Sequence, residues 1–133
     1  MNECYHKEAT FSDPVFQNLN SKQVQAMWHM LCEAGKDLQL EFDLLSDNQV
    51  YWRPVYSFSK TGRKVHNKIH ATFTFKDGLI LNHEDKFDLW KWSFMALGIP
   101  GQLLGWAPFF KNKIRKMANG NLQKFINNHP KYQ

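Results

Sequence analysis

The sequence predicts an α+β domain in which long antiparallel hairpins build a sheet, helices cover it, and an apolar helical extension follows. Three observations carry this expectation. Lys64 to Trp92 reads as two long strands joined at Asp77-Gly78, and an Asp-Gly pair between alternating segments is the strongest local hairpin signal because both turn positions need positive φ. Val24, Met27, Trp28 and Leu31 recur at helical spacing. Soon after them Leu38, Leu40, Phe42 and Leu44 alternate with Gln39, Glu41 and Asp43, the spacing of a strand with one buried and one wet face.

Length and composition agree with one folded unit. At 133 residues with 15% aromatics the chain can bury a real core and is too apolar to be disordered. Cys4 and Cys32 lack CxxC spacing, which suggests neither a zinc site nor a disulfide scaffold, and a reducing, cytoplasmic compartment is the default expectation. The first residues show no basic stretch followed by an apolar run, so no signal peptide is expected, and no apolar run is long enough for a spanning helix.

Taken in order, Phe11, Val15 and Phe16 pin an extended or turning segment in which Pro14 pushes Asp13 out of helical space. His6 and Asp13 could line a cavity, although both are ordinary surface features in such a setting. Asn20 with Gln23 three residues on makes a capping arrangement for the helix of Val24 to Leu31, which Gly35 ends. A turn at Asp47-Asn48 leads into a second strand, Gln49 to Phe58, where Pro54 argues for a bulge or an edge. Arg53 in that strand is expected to point to water.

The central hairpin yields the one acid/base pair that spacing alone suggests. With a two-residue turn Lys76 faces Leu79, and the same register sets His70 opposite Asp85, neighbours on one face with Cβ atoms about 4.5–5.5 Å apart. Neither hairpin face is uniformly apolar on both strands, and one bulge would swap the assignment along part of a strand. Asp88 then has two readings, helix cap for Leu89 to Leu97 or site residue. Gly98 and Pro100 stop that helix, and Leu103, Leu104, Trp106, Phe109, Phe110, Ile114 and Met117 follow, with a closing helix expected from Asn121 to Asn127.

Charge is unevenly spread around the net +5. Acidic residues dominate up to Ser59, and beyond Asp88 there are none, while Lys111, Lys113, Arg115, Lys116, Lys124 and Lys131 remain. A solvated helix face is the plain reading; peripheral contact of this basic, apolar tail with an anionic membrane is the alternative. Nucleic acid is not an expected partner, because no reader motif is present and the aromatics sit at core spacing. Phosphate-loop, zinc and nucleophile-elbow signatures are also missing.

The segment TGRKVHNKIHATFTFKDGLILNHEDKFDLWKW, Thr61 to Trp92, within the order helix, strand, long hairpins, resembles the SnoaL-like branch of the nuclear transport factor 2-like superfamily. That superfamily includes ketosteroid isomerases, polyketide cyclases and limonene epoxide hydrolases besides non-enzymatic members. The resemblance covers Tyr5 to Gly98 and implies a cone-shaped, curved antiparallel sheet around a pocket. It divides the chain into a cone domain, 1–98, without the usual N-terminal helix, and a helical extension, 99–133, packed on it. It also implies catalytic roles for Asp85 and His70, a pocket wall including Tyr51, Trp52, Tyr56, Trp28 and Asp88, no metal, no cofactor, and a homodimer. Arg53 is not followed by the Asp two positions on that epoxide hydrolases need, so their water-activating mechanism is not implied. Two functions follow: a cofactor-independent isomerase, cyclase or hydrolase acting on a small apolar ligand, or a non-catalytic ligand-binding or dimerisation module.

Overall fold

The computed structural model describes residues 2–98 and 107–133. After a single 3-10 turn, Asn2–Cys4, the chain runs through strands β1 (Tyr5–Ser12) and β2 (Leu19–Asn20), helix α1 (Ser21–Ala34), strands β3 (Gln39–Ser46), β4 (Gln49–Ser57), β5 (Lys64–His66), β6 (Ile69–Lys76) and β7 (Leu79–Lys86), and helices α2 (Leu89–Leu97) and α3 (Pro108–Asn127). The seven-stranded curved sheet has the order β2-β1-β7-β6-β4-β3, with β5 also paired to β4. Every pairing is antiparallel except β1 with β7.

Local signals hold where the chemistry is local. Asn20 caps α1 through a full capping box with Gln23, and the Gly35 N–H closes the helix on the Leu31 carbonyl at 2.8 Å. Asp88 caps α2 by accepting the Lys91 N–H at 3.2 Å. At the other end of α2 the carbonyls of Met95 and Ala96 accept Arg63 Nε and the Thr61 hydroxyl, so the loop before β5 satisfies a helix terminus.

Three expectations are corrected by packing. Pro54 lies at neither an edge nor a bulge of its own strand: β4 pairs with β6 up to Trp52 and with β5 from Val55, and Pro54 sits opposite the break. Its carbonyl accepts the Asn67 N–H at 3.0 Å, and no ladder donor is demanded of it there. β3 alternates as read, but it is an edge strand and all of it is exposed; Phe42 is 59% and Leu44 73% accessible. The last helix is one continuous element from Pro108 through Gly120 to Asn127, not a short one beginning at Asn121. Leu103, Leu104 and Trp106 lie outside the described residues.

The correction that matters most is in the β6–β7 hairpin. Asp77 and Gly78 both have positive φ, 55° and 76°, as the two-residue turn requires, and Lys76↔Leu79 and Phe75↔Ile80 pair as expected. The next pair is Thr74↔Asn82, because Leu81 is an extra residue in β7. From there the register moves by one, His70 faces Lys86, and Asp85 faces Ala71. His70 therefore lies exposed on the outer face, its ring 4.8 Å from Tyr51, and the predicted His70–Asp85 pair does not form.

One buried cluster joins the sheet and helices. Tyr5, Ala9 and Phe11 of β1 meet Val24, Ala26 and Met27 of α1, and Ile114, Leu122 and Ile126 of α3 pack into the same cluster, with Tyr132 from the terminal 3-10 turn Pro130–Tyr132. Gly78→Ala isolates the turn's contribution, since a Cβ there meets nothing within 4 Å. We expect a loss of about 1 kcal/mol from positive φ alone, measured as a lower urea midpoint with an unchanged slope.

Candidate functional site

Residues two apart on a strand share a face, and the Leu81 bulge turns His83 and Asp85 inward toward α1. Both are almost fully buried, at 4% and 3% exposure, so their polar atoms need partners inside the fold. His83 Nε2 lies 2.7 Å from Asp85 Oδ1, and His83 Nδ1 lies 2.8 Å from the Tyr5 hydroxyl. The Trp28 indole N–H donates to that same hydroxyl at 2.9 Å. One proton arrangement satisfies every member: Trp28 donates to Tyr5, Tyr5 donates to His83 Nδ1, and His83 Nε2–H donates to Asp85. Phe11 and Phe73 bracket the imidazole with ring centroids at 4.8 and 4.4 Å, which keeps water from the chain of hydrogen bonds. Burial pushes the Tyr5 phenol well above its ordinary pKa, against the smaller opposing effect of the bond from Trp28.

A second carboxyl approaches from the end of β1. Asp13 Oδ1 accepts the backbone N–H groups of Val15 at 2.7 Å and Phe16 at 2.6 Å, an Asx turn that Pro14 stiffens. Desolvation in this half-buried position outweighs those two bonds and raises the Asp13 pKa to about 6; the Asp85 charge adds to the rise and His83 opposes it. Asp13 and Asp85 line one open cleft of about 340 Å³, together with Gln17, Glu84 and Lys86.

The pocket residues expected from the sequence separate by face. Trp28 and Trp52 lie on the inner side with ring centroids 5.9 Å apart. Tyr56 is half-buried and accepts the Trp92 indole N–H at 2.9 Å; burial raises its phenol pKa, the Trp92 bond opposes this, and the Asp13 charge adds to the rise. Tyr51 belongs to the outer face, under the Arg53 guanidinium at 5.0 Å, and Arg53 pairs there with Asp43 at 3.0 Å and Glu41 at 3.7 Å. Asp88 is exposed at its cap position and is not among the residues that line the cleft. The partner of Asp85 is His83 instead of His70, and its signal is present in the sequence: His83-x-Asp85 on one regular strand shares a face whatever the pairing register.

No family model matches the sequence, and no curated protein does. Solved structures do. A proposed isomerase from Rhodopseudomonas palustris superposes with a TM-score of 0.61 at 12% identity, over 73% of this chain and 81% of that one. A proposed SnoaL-like polyketide cyclase from Jannaschia sp. CCS1 gives 0.60 at 16% identity, over 74% and 76%. The chain has the nuclear transport factor 2-like fold. Another neighbour with this fold, AclR from Streptomyces galilaeus, a proposed hydroxylase, matches at 0.55 and 17% identity over 84% of this chain and 83% of that one. These names span three chemistries, so the nuclear transport factor 2-like fold alone selects none of them, and chemistry has to be read from the side chains.

The raised Asp13 pKa makes stability depend on pH. A carboxyl that holds its proton more tightly when folded favours folding fully below about pH 4, and that contribution is lost as pH rises through about 6. Asp13→Asn keeps an acceptor for the Val15 and Phe16 N–H groups without this titration. Relative to the parent it should gain on the order of 2–3 kcal/mol between pH 4 and pH 8, read from paired urea titrations; parallel curves for the two proteins would refute the shift.

Proposed function

We propose that this chain is a small-molecule pocket protein that moves protons on an apolar ligand carrying a carbonyl or epoxide oxygen, without metal or organic cofactor. The observation that supports it best is the pair of acidic residues lining one cleft: Asp85, aligned by the buried His83–Tyr5–Trp28 chain, and Asp13, whose pKa near 6 suits it both to take and to return a proton near neutral pH. In this reading one carboxylate removes a proton beside the ligand carbonyl. The other carboxyl, protonated, donates to the oxygen on which charge develops. His83 holds Asp85 in place, the role that spacing gives to His70, and Tyr5 and Trp28 hold His83 in turn. The neighbouring proposed isomerase and cyclase are compatible with such proton transfer.

The test is a thermal-shift screen of polyketide, steroid and terpene-epoxide compounds, followed by turnover of any stabilising compound. Asp85→Asn and Asp13→Asn should each lower turnover about 10²–10⁴-fold while the compound still raises their melting temperatures, and His70→Ala should match the parent. Equal turnover by parent and both carboxyl variants would overturn the reading.

A second reading, a dimerisation module, is favoured by β3. Leu40, Phe42, Leu44 and Leu45 are all at least half exposed on an edge strand, where a second copy can extend the sheet. Leu44→Lys should then shift sedimentation from dimer to monomer with the fold retained. A parent that is monomeric at high micromolar concentration would exclude self-association through this edge.

A further inference from the structure

Away from the cleft, two histidines and a glutamate converge where the C-terminal turn meets α1. His29 and Glu33 stand one helical turn apart, with His29 Nε2 2.9 Å from Glu33 Oε1. His129 comes from the other end of the chain, just after α3, and its ring centroid lies 5.2 Å from that of His29. One ligating atom from each of the three residues lies within 4.8 Å of the others.

The hydrogen bonds around these rings decide what the three atoms can do. The Phe125 carbonyl can only accept, and it lies 2.7 Å from His129 Nδ1. That nitrogen therefore carries the proton, and Nε2 of the neutral ring presents a lone pair. Among the described residues Nε2 makes no hydrogen bond. His29 Nδ1 lies 3.0 Å from the Tyr132 hydroxyl, which can accept its proton and free His29 Nε2. Phe125 stacks on His129 at 3.9 Å and meets His29 edge-on at 5.0 Å, so both imidazoles are held before any ligand arrives. Orienting bonds on the outer ring nitrogens are the usual support of metal-binding histidines.

We propose that His29, Glu33 and His129 form a site for a divalent transition ion of the zinc class, which fastens the C-terminal turn to α1. The ion takes the place of the proton between His29 Nε2 and Glu33, receives the His129 Nε2 lone pair, and completes a tetrahedron with water. Two imidazoles and one carboxylate suit zinc, cobalt or nickel and disfavour magnesium and calcium, which prefer oxygen ligands. Glu33, more than half exposed, has room to adjust its rotamer and bring the ligand atoms to tetrahedral spacing. This site is independent of the acid/base cleft and adds a cross-link between residues about a hundred positions apart.

The experiment uses the untagged full chain stripped with EDTA. Zinc at a hundredfold excess over its dissociation constant should raise the melting temperature by about 5–10 °C, and magnesium should not. Cobalt should give a visible absorption band that saturates at one ion per chain. Glu33→Ala removes an exposed side chain, so it should melt like the parent without metal and bind at least tenfold more weakly with it. His129→Asn should abolish the cobalt band. Absence of a zinc-dependent shift, or zinc and cobalt binding unchanged in both variants, would overturn the proposal.

Discussion

The extra residue at Leu81 is the constraint on which the rest of the structure depends. Without it, β7 would continue in the register of its turn, setting Glu84 opposite Ala71 and Lys86 opposite Ile69 on the inner face. Ala71 and Ile69 are buried against the interior, at 2% and 5% exposure, and taking two charged side chains there costs several kcal/mol each. A bulge sacrifices about one ladder hydrogen bond, on the order of 1 kcal/mol. Glu84 and Lys86 consequently stay in water, and His83 and Asp85 go inside, where the fold can satisfy them.

Their satisfaction draws on three separate elements. β1 lies parallel to β7 and carries Tyr5 to the His83 ring, while α1 brings Trp28 to Tyr5. Among the described residues no buried side-chain nitrogen or oxygen lacks a partner, so the polar interior is compatible with a stable core. The end of the same β1 strand places Asp13 at the cleft. Asp13 is held by its own turn and desolvated by its neighbours, which is why a carboxyl with two backbone donors still titrates near 6.

The apolar surface is distributed unequally. α3 and the terminal turn close one side by packing Ile114, Leu122, Ile126 and Tyr132 against β1 and α1. β3 leaves Leu40, Phe42 and Leu44 open at the other end of the sheet. No helix among the described residues is long and apolar enough to cross a membrane.

Elements specified by short-range chemistry were legible in the chain. The Asn20–Gln23 box, the Asp77-Gly78 turn, the Asp88 cap and the alternation through β3 all involve residues within a few positions of one another, where propensity and hydrogen bonding decide. Asp85 was legible as a candidate acid/base carboxyl, but its partner was not. Whether His70 or His83 meets it depends on a one-residue bulge, and that choice is made by keeping Glu84 and Lys86 in water while Ile69 and Ala71 are buried, an outcome that adjacent residues do not encode. Likewise, Asp13 reads as a common turn residue until β7 lies beside β1, and His29 and His129 are unrelated until α3 packs on α1. The sequence by itself determined the turns, the caps and the α+β class; long-range packing decided register, face and every pairing in the two polar clusters, because those depend on which surfaces leave water together.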